Sequence, residues 1–115
     1  MHELAVTESI LQVVLKYAQE CKARRVVSIH LQVGELRDVV EEWVQRYFDY
    51  LSEGTIAEGS KLVFKRTPAV LKCSNCGRSY QADVRQLEFS CPDCGSTGFV
   101  IVSGREFVIE SIGVI

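Results

Sequence analysis

Apolar residues recur at steps of three and four along the first part of the chain, as they do on one face of an amphipathic helix. The pattern predicts a helix over residues 4–25. The positions that share its apolar face are Leu4, Leu11, Val14, Leu15 and Ala18. Cys21 follows on the same face, and we expect it to be a small buried hydrophobe.

Apolar and polar residues then alternate over 26–33, which predicts a strand with one buried face. A second helix is predicted over 39–52, where apolar residues again follow the helical period. Its apolar stripe consists of Val40, Trp43, Val44, Tyr47, Phe48 and Leu51. A second strand is predicted over 61–66.

Turn residues and four cysteines dominate residues 68–99, and two further strands are predicted over 99–102 and 105–112. This order of elements predicts an α+β fold, in which two helices cover a short mixed sheet and the cysteine region is inserted between two of its strands. We therefore predict one domain from residues 1–67 together with 100–115, and a second from residues 68–99.

The four cysteines of the inserted region form two pairs, Cys73-x-x-Cys76 and Cys91-x-x-Cys94. Two intervening residues let a tight turn direct both sulfurs of a pair at one ion, and two such pairs complete a tetrahedron. A glycine directly follows each pair, and glycine tolerates the positive φ that such a turn often needs. The spacing predicts a zinc-ribbon-like module with four cysteine ligands, whose structural Zn(II) has no open position at which to activate water.

The spacing leaves two other uses of the cysteines open. A rubredoxin-like iron centre has the same two pairs marked by glycine, and redox chemistry of a dithiol is the other option, although that usually involves a single pair at the start of a helix. Disulfides are disfavoured because we expect neither a signal peptide nor a membrane span, and thiols stay reduced in the cytoplasm.

Composition and charge mainly exclude certain classes of function. The chain of 115 residues is 47% hydrophobic and 24% charged, as folded proteins commonly are, and its net charge is −2. Its densest basic group, Lys22 with Arg24 and Arg25, is expected at a helix end, where cations suit the dipole. We therefore expect a cytoplasmic protein that binds neither nucleic acid nor membrane. The sequence contains no Ser/His/Asp set, open zinc site or phosphate loop that would indicate an enzyme.

The amino terminus offers a set of nitrogen ligands. The amine of Met1, with a pKa of roughly 7.7–8.0, the next backbone nitrogen and the imidazole of His2 can form fused chelate rings. Such nitrogen-rich tetragonal sets suit Ni(II) or Cu(II). Glu3 can add an oxygen ligand, or it can simply favour the positive end of the helix dipole.

Four motifs follow one another across essentially the whole chain: Met1-His2-Glu3-Leu4, Gly34-Glu35-Leu36, the two cysteine pairs, and Ser103-Gly104-Arg105-Glu106-Phe107. Together they resemble the HypA/HybF family of hydrogenase maturation nickel metallochaperones. The resemblance implies that His2 binds nickel, with Glu3 and the terminal amine of Met1 nearby, while the four cysteines hold zinc.

The resemblance also implies that residues 1–67 with 100–115 form a nickel-binding α/β domain, and that the protein delivers nickel for the maturation of [NiFe]-hydrogenase. It implies a HypB-type GTPase and the hydrogenase large subunit as partners, and it leaves a homodimer open. Taken alone, the cysteine pairs fit two other functions. One is a zinc-ribbon module that binds nucleic acid or a protein assembly, and the other is a rubredoxin-like electron carrier.

Overall fold

A computed structural model describes residues 3–115, so Met1 and His2 lie outside the described residues. The elements in chain order are α1 Glu3–Glu20, β1 Val26–Gly34, α2 Glu41–Leu51, β2 Lys61–Thr67, β3 Val70–Cys73, β4 Ser79–Gln81, β5 Phe99–Ser103 and β6 Phe107–Val114. Within residues 3–115, no helix has the length and apolarity that crossing a bilayer requires.

The strands form two three-stranded sheets, which confirms the predicted α+β class. The first sheet has the order β2-β1-β6 and the second has the order β4-β3-β5. Both pairings in the second sheet are antiparallel, with Leu71 opposite Tyr80 of β4 and Ile101 of β5. The sequence pattern does not predict β3 and β4, and it groups residues 100–115 with the first sheet, whereas β5 pairs with β3.

Contacts within the described chain divide it into two compact units. The first contains residues 3–31, 38–65 and 108–115, and the second contains residues 32–37 and 66–107. Each unit is therefore assembled from segments that are separated in sequence. The predicted domain limits stay a prediction.

Helix α1 buries one face within the first unit. Its buried side chains are Thr7, Ile10, Val14 and Ala18. Leu4, which the pattern assigns to the same face, is 40% exposed. The helix also ends earlier than predicted, because Lys22 adopts a left-handed φ of 57° and the N–H of Ala23 donates back to the carbonyl of Ala18 at 2.9 Å. This closes the last turn in the manner of a helix C-cap.

The prediction that Cys21 is buried is wrong, because α1 ends before this residue. Cys21 lies beyond the last helical residue and is exposed. Lys22, Arg24 and Arg25 also follow the helix, so no basic residue occupies its last turn. The backbone N–H groups of Arg24 and Arg25 instead donate to the carbonyl of Ile115.

Strand β1 alternates as predicted over most of its length, with Ile29, Leu31 and Val33 fully buried. The alternation fails at the start of the strand, where Val26 is buried and Val27 is 42% exposed. Burial of Val26 is accompanied by a hydrogen bond to its carbonyl from the hydroxyl of Ser60, at 2.6 Å. This bond satisfies a buried polar group on each side.

Helix α2 is amphipathic, but its buried stripe is narrower than the sequence predicts. Val44 and Phe48 are buried, whereas Trp43 is 50% and Tyr47 38% exposed. Trp43 and Tyr47 line, with Arg46, an open groove of about 240 Å³. The apolar face of α2 is therefore wider than the part of it that the neighbouring helix α1 covers.

A small apolar core forms in the second unit around two of the cysteines. Its buried members are Ala69, Leu71, Cys73, Tyr80, Ala82 and Cys91. Leu36, Val84, Phe89 and Ile101 pack against them. The hydroxyl of Tyr80 donates to the carbonyl of Phe89 at 2.6 Å, so this buried phenol has a partner.

Two glycines of the family motifs, Gly34 and Gly104, lie in direct contact within the second unit. The N–H of Gly34 donates to the carbonyl of Glu106 at 2.7 Å, and the N–H of Leu36 donates to the carbonyl of Gly104 at 2.9 Å. The carboxylate of Glu106 accepts from the N–H of Gly104, with 3.1 and 3.0 Å to its two oxygens. A Cβ on residue 34 would lie 1.9 Å from the carbonyl oxygen of Gly104, so only glycine permits this approach.

We expect Gly34→Ala to lower the free energy of unfolding by roughly 1–3 kcal/mol or more, because the added methyl group meets backbone atoms that cannot rotate away. Gly98→Ala is the matched control, since its nearest contact would be Ser74 Cβ at 3.7 Å. Urea unfolding of the metal-loaded proteins, followed by circular dichroism, measures both changes. Equal stability of the two variants would contradict this account of Gly34.

Candidate metal centre

The four paired cysteines come together at one end of the second sheet. Cys73 ends β3, Cys76 lies in the turn before β4, and Cys91 and Cys94 lie between β4 and β5. Their sulfur atoms all lie within 4.8 Å of one another, with 3.5 Å from Cys73 to Cys94 and 3.7 Å from Cys76 to Cys91. A tetrahedral ion with metal–sulfur bonds near 2.3 Å places its sulfurs about 3.8 Å apart. The four thiols therefore fit one tetrahedral ion.

The two pairs adopt matching turns. The N–H of Gly77 donates to the carbonyl of Cys73 at 3.0 Å, and the N–H of Gly95 donates to the carbonyl of Cys91 at 2.8 Å. The φ angles are 78° at Gly77 and 73° at Gly95, which confirms the predicted positive φ after each pair. Since no atom lies within 4 Å of a Cβ at either position, backbone conformation is the reason for glycine there.

Backbone N–H groups stabilise the thiolate of the first cysteine in each pair. The N–H groups of Cys76 and Asn75 donate to the sulfur of Cys73 at 3.5 and 3.4 Å. These bonds, that of Cys76 foremost, lower the pKa of Cys73 to about 6. The N–H of Cys94 similarly lowers the pKa of Cys91. Hydrogen bonds to the charged form favour it, so both sulfurs are prepared for metal binding.

The second cysteine of the first pair behaves differently. The backbone N–H of Arg78 acts to lower the pKa of Cys76, but desolvation and the neighbouring sulfurs outweigh it and raise the pKa to about 11. Desolvation disfavours the charged form of this thiol, and the three neighbouring sulfurs disfavour it further, because like charges oppose ionisation. A cation at the centre reverses the balance, since a coordinating thiol loses its proton outright.

In each pair, the first cysteine is buried and the second is exposed. Cys73 and Cys91 are buried, and Cys76 and Cys94 are exposed. The first cysteines therefore belong to the core of the unit, while the second ones close the site from the solvent side. An exposed ion pair between Arg78 and Asp93 joins the two turns, and at such exposure it contributes little to stability.

One residue of this environment is missed by sequence reasoning. Tyr80, at the centre of β4, packs in the core beside the cysteines, and desolvation together with the charges of the four cysteines raises the pKa of its phenol. The phenol therefore stays protonated and keeps its hydrogen bond to Phe89. The exposed–buried–exposed pattern of Ser79-Tyr80-Gln81 is the only local signal, and three residues are too few to predict a strand from it.

The other predicted ligands are the first three residues of the chain. Met1 and His2 fall outside the described residues, and Glu3 is the first residue of α1. Among residues 3–115, the four paired cysteines form the only group of three or more potential ligands close enough to share an ion. Cys21 does not belong to this group.

The chain is similar to known proteins over nearly its whole length. The family model described as "Hydrogenase/urease nickel incorporation, metallochaperone, hypA" matches residues 1–114. A curated relative from Dehalococcoides mccartyi strain 195, called Hydrogenase maturation factor HypA, is 42% identical over 114 residues, which are 99% of this chain and 94% of the relative. A relative of the same name from Caldanaerobacter subterraneus subsp. tengcongensis is 41% identical over 115 residues, 99% of each chain.

Two solved structures share the fold. The solution structure of the Ni metallochaperone HypA from Helicobacter pylori aligns with a TM-score of 0.69 at 19% identity, covering 100% of this chain and 98% of the other. A second solution structure, of HypA protein, aligns with a TM-score of 0.73 at 20% identity, covering 100% and 97%. At these identities the likeness concerns the fold alone.

We expect the apparent affinity for added Zn(II) to fall as the pH falls, and to fall more steeply below pH 6. The pKa of Cys76, about 11, means that this thiol must release a proton over the whole neutral range. The pKa of Cys73, about 6, is lowered, so its thiolate is present above that pH and is lost below it. Each proton that metal must displace costs about tenfold in affinity per pH unit.

Chelator competition at a series of pH values, corrected for protonation of the chelator, measures this slope. Cys21→Ser is the control and should give the same curve, because this thiol lies outside the site. A slope that stays constant through pH 6 would show that the thiolate of Cys73 is not stabilised in advance.

Proposed function

Because this chain belongs to the HypA family of nickel-incorporation metallochaperones, we propose that it binds Ni(II) at its amino terminus and delivers it for the maturation of a [NiFe]-hydrogenase. The observation that supports this most is the family match over residues 1–114. The amine of Met1, the next backbone nitrogen and the imidazole of His2 supply the nitrogen set that suits Ni(II). These two residues are assigned from their chemistry, since they lie outside the described residues.

Glu3 is the one proposed nickel ligand that the structure describes. It is half-buried at the start of α1, and its Oε2 atom is buried without a hydrogen-bond partner among the described residues. A buried carboxylate oxygen without a partner is costly. A cation bound beside it removes that cost, which supports Glu3 as an oxygen ligand or close neighbour of nickel.

The first turn of α1 is held in place by Thr7. Its hydroxyl donates to the carbonyl of Glu3 at 2.5 Å, and Thr7 itself is fully buried. The backbone at the proposed ligand is thereby fixed to a buried position of the helix, while the residues before it carry the remaining ligands. A partly fixed site suits a protein that must bind its cargo and later release it.

We assign Zn(II) to the four cysteines in a structural role. Four thiolates complete a tetrahedron and leave no position for water or substrate, and the sulfur separations fit such an ion. When bound, Zn(II) supplies charge neutralisation and a cross-link between the two turns. Nickel transfer is therefore assigned to the amino terminus, where fewer ligands hold the ion.

The partners that follow from this function are a HypB-type GTPase and the hydrogenase large subunit. In the proposed sequence of events, the chain takes up Ni(II), docks with these partners and gives up the ion to ligands of the acceptor. The chain itself performs binding and exchange of ligands, with no covalent chemistry.

We expect His2→Ala to abolish stoichiometric Ni(II) binding in titration calorimetry of tag-free, zinc-loaded protein, because it removes the imidazole from the chelate. His30→Ala is the matched control, since the chain has two histidines and His30 lies within β1. This control should bind Ni(II) as the unaltered chain does. Elemental analysis should find one zinc per chain in all three proteins.

Equal Ni(II) binding by the His2→Ala variant and the unaltered chain would show that nickel binds elsewhere. Loss of zinc from the same variant would show that the two metals share ligands. Iron in place of zinc in protein purified from cells grown with both metals would overturn the zinc assignment and favour a rubredoxin-like centre.

We expect Glu3→Gln to weaken Ni(II) binding by roughly tenfold or more, since carboxylates in or next to a metal site have effects of that order. Glu8→Gln is the control, because Glu8 is an exposed carboxylate on the same helix. If Glu3 only complements the helix dipole, its substitution should leave Ni(II) affinity unchanged and lower helix stability by at most about 1 kcal/mol. Calorimetric titration and thermal unfolding of both variants separate the two roles.

A further inference from the structure

We propose that the ion pair between Arg78 and Asp93 is a clasp across the cysteine centre, which slows the exchange of its ion and thereby keeps Ni(II) out of it. Selectivity among divalent metals depends on geometry, ligand type and metal availability rather than on raw affinity. A chain that carries Ni(II) as cargo therefore needs a means of keeping the cargo from its own structural site. The inference rests on the proposed function and on the assignment of Zn(II) to the cysteines.

The side of the centre that faces the solvent is formed by the second cysteine of each pair. Cys76 and Cys94 are exposed, whereas Cys73 and Cys91 belong to the apolar core of the unit. A competing ion or a chelator therefore approaches between Cys76 and Cys94. Because four thiolates leave no open position on the ion, at least one of these two sulfurs has to move away before an incoming ligand can bind.

Arg78 and Asp93 are close in sequence to the two exposed cysteines. Arg78 lies two residues after Cys76, and Asp93 directly precedes Cys94. Nη1 of Arg78 donates to Oδ2 of Asp93, so one side chain from each turn segment meets the other. Among residues 3–115 it is the only ion pair. A pair at this position opposes the separation of the two turns.

The backbone joins the two turns at a different place. The N–H of Ser74 donates to the carbonyl of Gly98 at 3.0 Å, directly after the buried ligand Cys73. The backbone bonds that close each turn, in contrast, join residues of the same turn. A small opening about the bond between Ser74 and Gly98 would therefore separate the exposed thiols, and the ion pair is a contact that resists it.

The charge of the centre gives Arg78 a second role. Four thiolates around a divalent cation leave a net negative charge, and Asp93 adds a carboxylate within the second cysteine pair. Like charges at short range repel one another, and the guanidinium of Arg78 offsets this repulsion. The hydrogen bond and the charge of Asp93 raise the pKa of Arg78, and the charges of Cys91 and Cys76 raise it further. The guanidinium therefore interacts with a thiolate of each turn.

The clasp acts on the rate of metal exchange rather than on the stability of the fold. The side chains of Arg78 and Asp93 are 59% and 47% exposed, and an ion pair at such exposure stabilises a fold little. Exchange of the ion requires only a local opening of the two turns, and local openings occur without global unfolding. A weak contact can therefore change the rate of this opening while the unfolding transition stays where it is.

Release of zinc from the loaded chain to an excess of a chromogenic chelator measures the exchange. Arg78→Gln and Asp93→Asn should each speed this release by roughly two- to fivefold. Arg78→Gln should have the larger effect, because it leaves the carboxylate of Asp93 unpaired beside the thiolates. The double variant should release zinc no faster than Arg78→Gln, since either substitution removes the same pair. High salt should speed release from the unaltered chain and have little effect on the double variant.

Arg85→Gln is the matched control, because Arg85 is an exposed arginine on the segment between the two cysteine pairs and forms no ion pair within residues 3–115. It should release zinc at the rate of the unaltered chain. Urea unfolding of the zinc-loaded proteins should give the same midpoint for all variants. Equal release rates in every protein overturn the proposal. Faster release that is matched by a lower urea midpoint also overturns it, because the pair would then act only on the fold.

The effect on the cargo metal is tested by adding excess Ni(II) to the zinc-loaded chains. Nickel that enters the cysteine centre absorbs light through thiolate-to-nickel charge transfer, which a nitrogen and oxygen site lacks. This band should grow faster in Arg78→Gln than in the unaltered chain, by the same factor as zinc release. Equal growth in both proteins overturns the proposal. His2→Ala should leave the band unchanged, so failure of the clasp can be distinguished from failure of the amino-terminal nickel site.

Discussion

The second unit depends on how the charges of four cysteine sulfurs, which lie within 4.8 Å of one another, are balanced. Two negative charges about 4 Å apart repel by about 4 kcal/mol at an effective dielectric constant of 20, so four thiolates need a cation between them. The apolar core beside them has six buried residues, and two of these are the proposed ligands Cys73 and Cys91. Removal of the metal would leave Cys73 and Cys91, whose pKa values are lowered, without a counterion inside the core. For this reason, folding of the unit and metal binding form one equilibrium.

The two proposed metal sites enclose their ions to different degrees, and their proposed functions differ for this reason. Cys73 and Cys91 are core residues whose turns are fixed by backbone hydrogen bonds, and rigid ligands of this kind retain an ion. At the amino terminus, Glu3 begins a helix and Thr7 holds its carbonyl, but the proposed nitrogen ligands precede the first described turn. A site with few ligands at a chain terminus can exchange its ion with an acceptor. Retention and transfer are thus proposed for different segments of the chain.

Sequence spacing predicted the cysteine centre because all its determinants are local. Two residues between the sulfurs, and glycine at the positive φ of Gly77 and Gly95, define each turn without help from distant segments. Periodicity also predicted both helices, but it could not show which apolar residues would be covered. Trp43 and Tyr47 remain exposed. The apolar stripe is a property of the sequence of α2 alone, whereas the burial of each side chain depends on how far the neighbouring helix α1 covers it.

Other features could not be predicted because they depend on contacts between distant residues or on very short elements. The approach of Gly34 to Gly104 has no local signal, and β3 and β4 have four and three residues, too few for a clear alternation. The position of Cys21 depended on one residue, Lys22, whose left-handed φ ends α1 before the periodicity does.

The placement of β5 and β6 has a consequence for synthesis of the chain on the ribosome. Every proposed metal ligand has been made once Cys94 is added, yet both sheets are still incomplete. β6 is needed by β1 in the first sheet, and β5 is needed by β3 in the second. The carbonyl groups of Gly104 and Glu106, which pair with Leu36 and Gly34, are also made late. A nascent chain can thus hold all its ligands before it has a fold, so its maturation as a metal carrier has to follow translation of its last segment.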